Sequence, residues 1–464
     1  MNENNVFFIE YRMSLQTGVL LLSSNKTYGR IGKKLLYQCI PYDKTASIVL
    51  IPYEIKLQFS KHIKNKFISY QLNRTQSNHT GQLMEVFGDV DNLEAYYEYQ
   101  TVSRELRFSK RELKTDYHWI DDTVERRFNG ITIDNEGTKD FDDAFSLETL
   151  ENGDKRLSIY IINVARFVHH FQLWDKLRET SGSTIYLPHR KINILPSSLI
   201  DNCLSLKQGT TRYTIGLDVV FDPDGNIVDT SIKEYLLKIE RNFVYDSKEL
   251  TTNQTYQSLF ALTTQLVSLE DSHQFVGYWM EFYSRYFAKN IQDPNFIYLH
   301  HHSCNNNVSF LERYIINQSF PKGYYTYDDK NPMDYVHCTS PIRRMVDIYN
   351  QGVFIKRQFD PPLNIDWLNH KTKQVKKLQM ETQWMNLCFS KTETMEKTFE
   401  GILLDYKLSK SREHKYTVYL KELKMISYFK CVLEYPLFSQ HLFRIYLFKD
   451  EYDVNKKVRL CLVV

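Results

Sequence analysis

The chain has 464 residues, 42% hydrophobic and 25% charged, with a formal net charge of +3, the composition of a globular protein with room for two to four domains. No apolar run approaches the roughly 18 residues that a membrane span needs, and the polar, acidic opening MNENNVFFIE lacks the basic-then-apolar order of a secretion signal. Seven cysteines without a CxxC pair argue against a zinc site and lead us to expect a reducing, cytoplasmic setting; a soluble protein, monomeric and without a membrane, is also expected.

Charge is unevenly spread. Residues 1–118 carry 16 Lys/Arg against 12 Asp/Glu, residues 391–464 carry 14 against 10, and the middle carries 29 against 34. Basic arms around an acidic centre suit nucleic-acid-binding flanks on a metal-dependent core. Ordinary fluctuation of a few charges explains the same numbers.

In chain order, residues 1–118 read as short strands: FFIEYRM, TGVLLLSS, LLYQCIPY, SIVLIPYEIKL, FISYQL and GQLMEVFGDV. Turn residues separate them at short intervals, the pattern of small barrels. Tyr96, Tyr97 and Tyr99 are candidates for stacking bases, with core packing as the more ordinary role.

GITIDNEGTKDFDDAFSLE (130–148) follows, with Asp134, Asp140, Asp142 and Asp143 inside ten residues. Ile131/Ile133 and Phe145/Leu147 flank it with alternation, and Asn135, Glu136 and Gly137 supply a turn, so strand, turn, strand is expected. Carboxylates this close repel one another, and a hard divalent cation is the usual counter-charge. A calcium-binding EF-hand loop fails on spacing. Counted from Asp134, Lys139 stands where glycine belongs and Phe145 where glutamate does; counted from Asp140, Phe145 again replaces the glycine. An exposed acidic cluster with no ligand is the plainer alternative.

LSIYIINVARFVHH (157–170) is expected to run from strand into helix, with His169 and His170 on the helix surface. FDPDGNI (221–227) is a hairpin turn, and WMEFYSRYFAKNI (279–291) is an amphipathic helix. In YVHCTSPIRRMVDIYN (335–350), Ser340 is a good N-cap and Pro341 a tolerated first helical residue. That reading places Arg343 and Arg344 in a first helical turn, where paired cations make sense if an anion such as phosphate is held. Pairing of either arginine with Asp347 is the alternative. A long basic helix is expected over 367–390, with Lys371, Lys373, Lys376 and Lys377 on its polar side. A strand-rich tail closes the chain.

Three of these stretches carry a family resemblance. TIDNEGTKDFDDA, YVHCTSPIRR and, between them, STIYLPHRKINILPSSLIDNCLSLKQG (183–209) together resemble the signatures of the ribonuclease II / ribonuclease R (RNB) exoribonucleases, in order and over roughly 210 residues. The resemblance is strong over about 123–390 and weak at the ends. It implies an α+β protein: a mixed α/β catalytic domain over 119–395, flanked by small all-β OB-type barrels. Those would be a degenerate cold-shock barrel at 1–75, a second such segment at 76–118 and an RNA-binding barrel at 396–464.

The implied activity is processive 3′→5′ hydrolysis of single-stranded RNA to nucleoside 5′-monophosphates with Mg²⁺, or Mn²⁺, by two-metal logic. Asp134, Asp140 and Asp143 would hold metal, and Asp142 would orient a metal or the attacking water. Arg343 would meet the scissile phosphate, and Arg344 would hold the helix or a neighbouring phosphate. Tyr186 would stack on bases, Tyr245 would sit near the sugar, and Glu381 would contact the terminal nucleotide. Arg212 and His301 also resemble family positions. Tyr160 and Asn163 depart from the family pattern, as does a missing glutamate upstream of Tyr283. A catalytically impaired RNB-fold protein that grips RNA, and a phosphodiesterase acting on DNA or small nucleotides, are the alternatives.

Overall fold

The computed structural model describes residues 15–55, 63–73, 80–108, 123–290, 293–300, 323–327, 335–357, 359–390, 395–408, 413–449 and 457–463. The expected strand FFIEYRM and His301 lie outside them. The chain divides into two compact units, one of residues 1–107, 187–189 and 376–464, the other of 108–186 and 190–375.

In the first unit, an antiparallel sheet runs Arg30–Ile31, Lys34–Pro41, Gln16–Leu20, Lys66–Leu72, Gly81–Asp89, with Val49–Tyr53 added on Lys34–Pro41. The expected boundary at residue 75 does not separate two barrels. Lys66–Leu72 pairs antiparallel with Gly81–Asp89, from Leu72 opposite Gly81 to Lys66 opposite Asp89, so both segments share one sheet. Nor does the tyrosine-rich stretch continue as strand. Asn92 caps a helix, Leu93–Ser103, by accepting the Ala95 N–H at 2.9 Å. On that helix Tyr96, Tyr97 and Tyr99 are buried, and Tyr99 stacks on Phe67 with centroids 4.4 Å apart. These rings fill core and are not open to bases.

The same unit holds a five-stranded antiparallel sheet in the tail. Its order is Met425–Cys431, His414–Leu420, Thr398–Leu408, Gln440–Leu447, Val458–Leu462. Phe399, Leu403, Tyr416, Val418, Phe429, Phe443 and Ile445 form its core together with Trp384 and Cys388.

The second unit is built on a closed barrel. Thr211–Phe221 pairs with Ile227–Val244, which lies parallel to Arg126–Asp134; Asp143–Thr149 and Lys155–Ile162 then close the ring back onto Thr211–Phe221. Period-two alternation gives each strand two faces. Ile131, Ile133, Phe145, Ile159, Ile161, Ile215, Leu217 and Val219 pack with Phe275, Trp279 and Tyr283 of the helix Ser272–Asn290. The intervening positions are small or polar. Ser158 donates to Asp218 Oδ1 at 2.5 Å, the Tyr235 hydroxyl donates to Asp218 Oδ2 at 2.7 Å, and Ser146 bonds the Tyr160 hydroxyl at 3.0 Å.

The strand-to-helix expectation over 157–170 holds: Lys155–Ile162 leads into the helix Val164–His170, and His169 and His170 are exposed. The long helix is Ile365–Ser390. Lys371 corrects its polar stripe, being buried at 8% exposure, while Lys373, Lys376 and Lys377 are exposed.

Gly216 makes room for two tyrosine rings. A Cβ there would meet Tyr235 Cδ2 at 2.5 Å and Tyr160 Cδ1 at 2.9 Å, and both rings are locked by hydroxyl bonds. Gly216→Ala should lower stability by about 1–3 kcal/mol, as overpacking does. A drop in the thermal-melting midpoint of the variant is the check.

Candidate active site

The turn expected between the acidic strands forms at one end of the barrel. The strand Arg126–Asp134 ends on Asp134, and Thr138 N–H closes on Asn135 C=O at 3.1 Å with Gly137 at φ +78°. The chain returns through Asp140 and Asp142 to Asp143, the first residue of the next strand. Register then fixes the positions: Asp143 lies opposite Ile161, and Asp134 beside Val244.

Asp142 is the most buried of the four, at 6% exposure, and its Oδ1 accepts the Ile342 N–H at 3.0 Å. Asp134 and Asp143 are partly exposed as residues, yet the Oδ2 of each is buried with no hydrogen-bond partner. Burial, and then the charge of Asp142, push the Asp134 carboxyl up to about 7 against the pull of Arg343. Burial likewise lifts Asp142 to about 7, opposed by Arg343 and the Ile342 N–H. Asp143 is pushed well above the usual carboxylate range by burial and by Asp134. Asp140 differs, being ion-paired to Lys191.

The arginine motif docks on this cluster, but not as a helix start. Ser340 C=O accepts the Arg343 and Arg344 N–H groups at 3.3 and 3.1 Å, making a turn, and the helix runs Met345–Phe354 with Arg344 as its extended N-cap residue at φ −133°. Asp347 explains the shift. Its carboxylate accepts both the Ser340 N–H at 2.7 Å and the Arg344 guanidinium at 2.8 Å, so it satisfies the turn ahead of the helix. Arg344 therefore pairs with Asp347, and Arg343 is left facing the acids, its Nε 3.7 Å from Asp142 Oδ2 with half of its side chain exposed.

The third motif joins here as well. Thr184 N–H donates to Arg343 C=O and Met345 N–H to Gly182 C=O, each at 2.9 Å, with Ser183 bridging Arg344. Two residues on, Tyr186 is 42% exposed on the strand Ile185–Leu187. Burial raises its hydroxyl pKa, and the neighbouring Arg343 guanidinium pulls it back. Tyr245 donates its N–H to Asp134 C=O at 2.9 Å, and its ring stacks on His273 at 3.8 Å. Burial, then Asp143 and Asp134, raise its hydroxyl pKa.

Asp134, Asp142, Asp143, Arg343, Tyr186 and Tyr245 thus surround one end of the barrel. Glu381 belongs to the first unit, where Arg104 pairs with it. Asn163 caps its helix by accepting the Arg166 N–H at 3.1 Å and donates to Glu234 at 2.8 Å, and Arg212 Nε donates to Ser205 C=O at 3.1 Å. Sequence reasoning missed Lys191, His273 and Ser205. Each acts through a tertiary contact and stands in no charge or spacing pattern that would mark it.

Among the described residues, no three His, Cys, Asp or Glu side chains form a ready-made metal site. The donors nonetheless fit a hard divalent cation: all are carboxylate oxygens, and the buried Oδ2 atoms of Asp134 and Asp143 have no hydrogen-bond partner.

The raised carboxyls set a pH dependence for the metal-free protein. A folded pKa of about 7 at Asp134 and Asp142, against 3.8 for the ordinary group, means that the folded state holds protons which the unfolded state has released. This contribution to stability is complete below about pH 3.8 and is lost as pH rises through about 7. In chelator, the melting temperature of Asp142→Asn should decline less over that window than that of the native protein, by thermal melts at several pH values.

Residues 125–274 match the family model for the RNB domain. Ribonuclease R of Thermotoga maritima is 33% identical over 116 residues, covering 25% of this chain but 16% of the relative. In fold, the chain is similar to Mycoplasma genitalium RNase R in complex with ribose-methylated single-stranded RNA, with TM-score 0.66 at 14% identity over 96% of this chain and all of that one. It is also similar to yeast Ssd1, a pseudonuclease, with TM-score 0.64 at 13% identity over 90% of this chain and 65% of that one. The expected mixed α/β architecture with barrel-like sheets is the one observed, and the family match takes in the acidic motif and the 183–209 segment but ends before the arginine motif at 335–344. Over residues 125–274 the chain is thus similar to the RNB domain family, and it spans a small part of the length of the curated relatives it matches.

Proposed function

We propose that this protein is a 3′→5′ exoribonuclease that hydrolyses single-stranded RNA processively to nucleoside 5′-monophosphates. One observation carries the reading: Asp134, Asp142 and Asp143 converge with Arg343 although 200 residues separate Asp142 from Ile342, whose N–H it accepts. A bound Mg²⁺ or Mn²⁺ would supply an activated water and a counter-charge for the leaving 3′-oxygen. Asp134 and Asp143 would hold such ions through the oxygens that lack partners, and Asp142 would hold the Ile342–Arg343 turn against them. Asp140 would join once Lys191 releases it. Arg343 would neutralise the scissile phosphate in the transition state, and Tyr186 beside it would stack a base near the 3′ end.

One reading competes. Asn163 brings no charge, Glu381 is engaged by Arg104, and the Ssd1 likeness is to a pseudonuclease, all of which favour a protein that grips RNA without cutting it. A gel time course on 5′-labelled single-stranded RNA separates the two. Metal-dependent shortening from the 3′ end, slowed about 10²–10³-fold in Arg343→Ala and at least as much in Asp142→Asn, is the expected result. Intact RNA that shifts as a complex in every lane would establish the binding protein instead.

Tyr186→Ala should weaken single-stranded RNA binding in chelator by about 1–3 kcal/mol, the worth of one stacked base. Filter binding measures it.

A further inference from the structure

The segment 183–209 contains a serine with a defined contact to the acidic loop. Ser205 is fully buried. Its hydroxyl donates to Lys139 C=O at 2.7 Å and accepts the Phe141 N–H at 3.1 Å, so one oxygen holds the backbone on both sides of Asp140. Leu206 N–H adds a bond to Phe141 C=O at 3.1 Å. Ser205 is itself fixed: its N–H donates to Ile200 C=O at 2.9 Å, and its carbonyl accepts Arg212 Nε at 3.1 Å and the Lys207 N–H at 2.8 Å. On the far side of the loop, Asp142 C=O accepts the Ile162 N–H at 2.9 Å, which ties the next residue to the barrel.

These bonds restrain a stretch of chain that has every electrostatic reason to spread. Asp140, Asp142 and Asp143 repel one another, and Asp140 has Lys191 to draw it aside. We propose that Ser205 is a positioning residue for the acidic cluster. Its hydroxyl clamps residues 139–141 so that the aspartates on that loop and Asp143 beyond it present their carboxylates together to a divalent cation. The inference rests on reading the cluster as a metal site. Removing the hydroxyl leaves Lys139 C=O and Phe141 N–H without their partner and frees the loop. A lost supporting bond of this kind typically costs 10–100-fold in metal affinity.

The test is Mn²⁺ binding without RNA, read by electron paramagnetic resonance of the free ion, on the native protein and on Ser205→Ala, Ser205→Thr and Ser205→Val. Threonine keeps the hydroxyl that valine, its isostere, lacks, so this pair remains decisive if the alanine variant fails to fold. We expect Mn²⁺ affinity about 10–100-fold weaker in Ser205→Val than in Ser205→Thr, with RNA affinity in chelator equal in the two. Equal Mn²⁺ affinities would overturn the proposal, as would loss of RNA binding in parallel with metal. A native protein whose Mn²⁺ affinity depends on the Ser205 hydroxyl yet which leaves RNA intact would defeat the nuclease reading alone. A native protein that cuts RNA while the valine variant binds Mn²⁺ equally well would defeat this inference alone.

Discussion

The constraint on which the second unit depends is the cost of gathering carboxylates where water cannot screen them. Asp134, Asp142 and Asp143 each lie in surroundings that disfavour charge, and each makes its neighbour harder to ionise. Such a cluster persists only if the backbone leaves it no alternative. Here the backbone is a closed five-stranded ring with strand registers set on both sides of the turn. The offsetting terms are few: one backbone N–H from Ile342, and the guanidinium of Arg343 at 3.7 Å. That deficit of positive charge is the feature that a hard cation at the barrel end would offset.

The ring can hold this arrangement because its two faces divide the work. Aliphatic side chains on one face pack with Phe275, Trp279 and Tyr283, giving a dense layer that resists deformation. The other face joins Asp218, Tyr235 and Ser158 in one hydrogen-bonded group and pairs Ser146 with Tyr160. A frame of this stiffness lets a loop of strained electrostatics keep one geometry.

Several charged side chains that a sequence offers to a ligand are already engaged. Lys191 holds Asp140, Arg104 holds Glu381, and Asp347 holds Arg344. These pairs keep charge compensated, and each competes with whatever a substrate or an ion would take from its residue. Arg343, half exposed beside Asp142, is the cation of the RR pair that faces the acids.

Much of this was legible in the chain. The Asp spacing between two alternating apolar runs dictated strand, turn and strand, because period-two burial and a glycine at positive φ leave little else. Motif order carried the fold class. Core packing was the more ordinary role for the tyrosines of Leu93–Ser103 and is the one observed, although base stacking stayed open in the sequence, because an aromatic has the same local signature whether it meets a sheet or a base. The start of the Met345–Phe354 helix escaped. Ser340 and Pro341 have cap chemistry, but Asp347 reaching back to the Ser340 N–H outweighs that preference.

Sequence by itself determined which acids and which arginines exist and how the strands beside them alternate, since those are local properties of composition and period. Only tertiary structure decided which arginine faces the acids, which aspartate is drawn off by lysine, and which serine clamps the loop. Each of those depends on contacts between residues far apart in the chain, whose geometry no local pattern encodes.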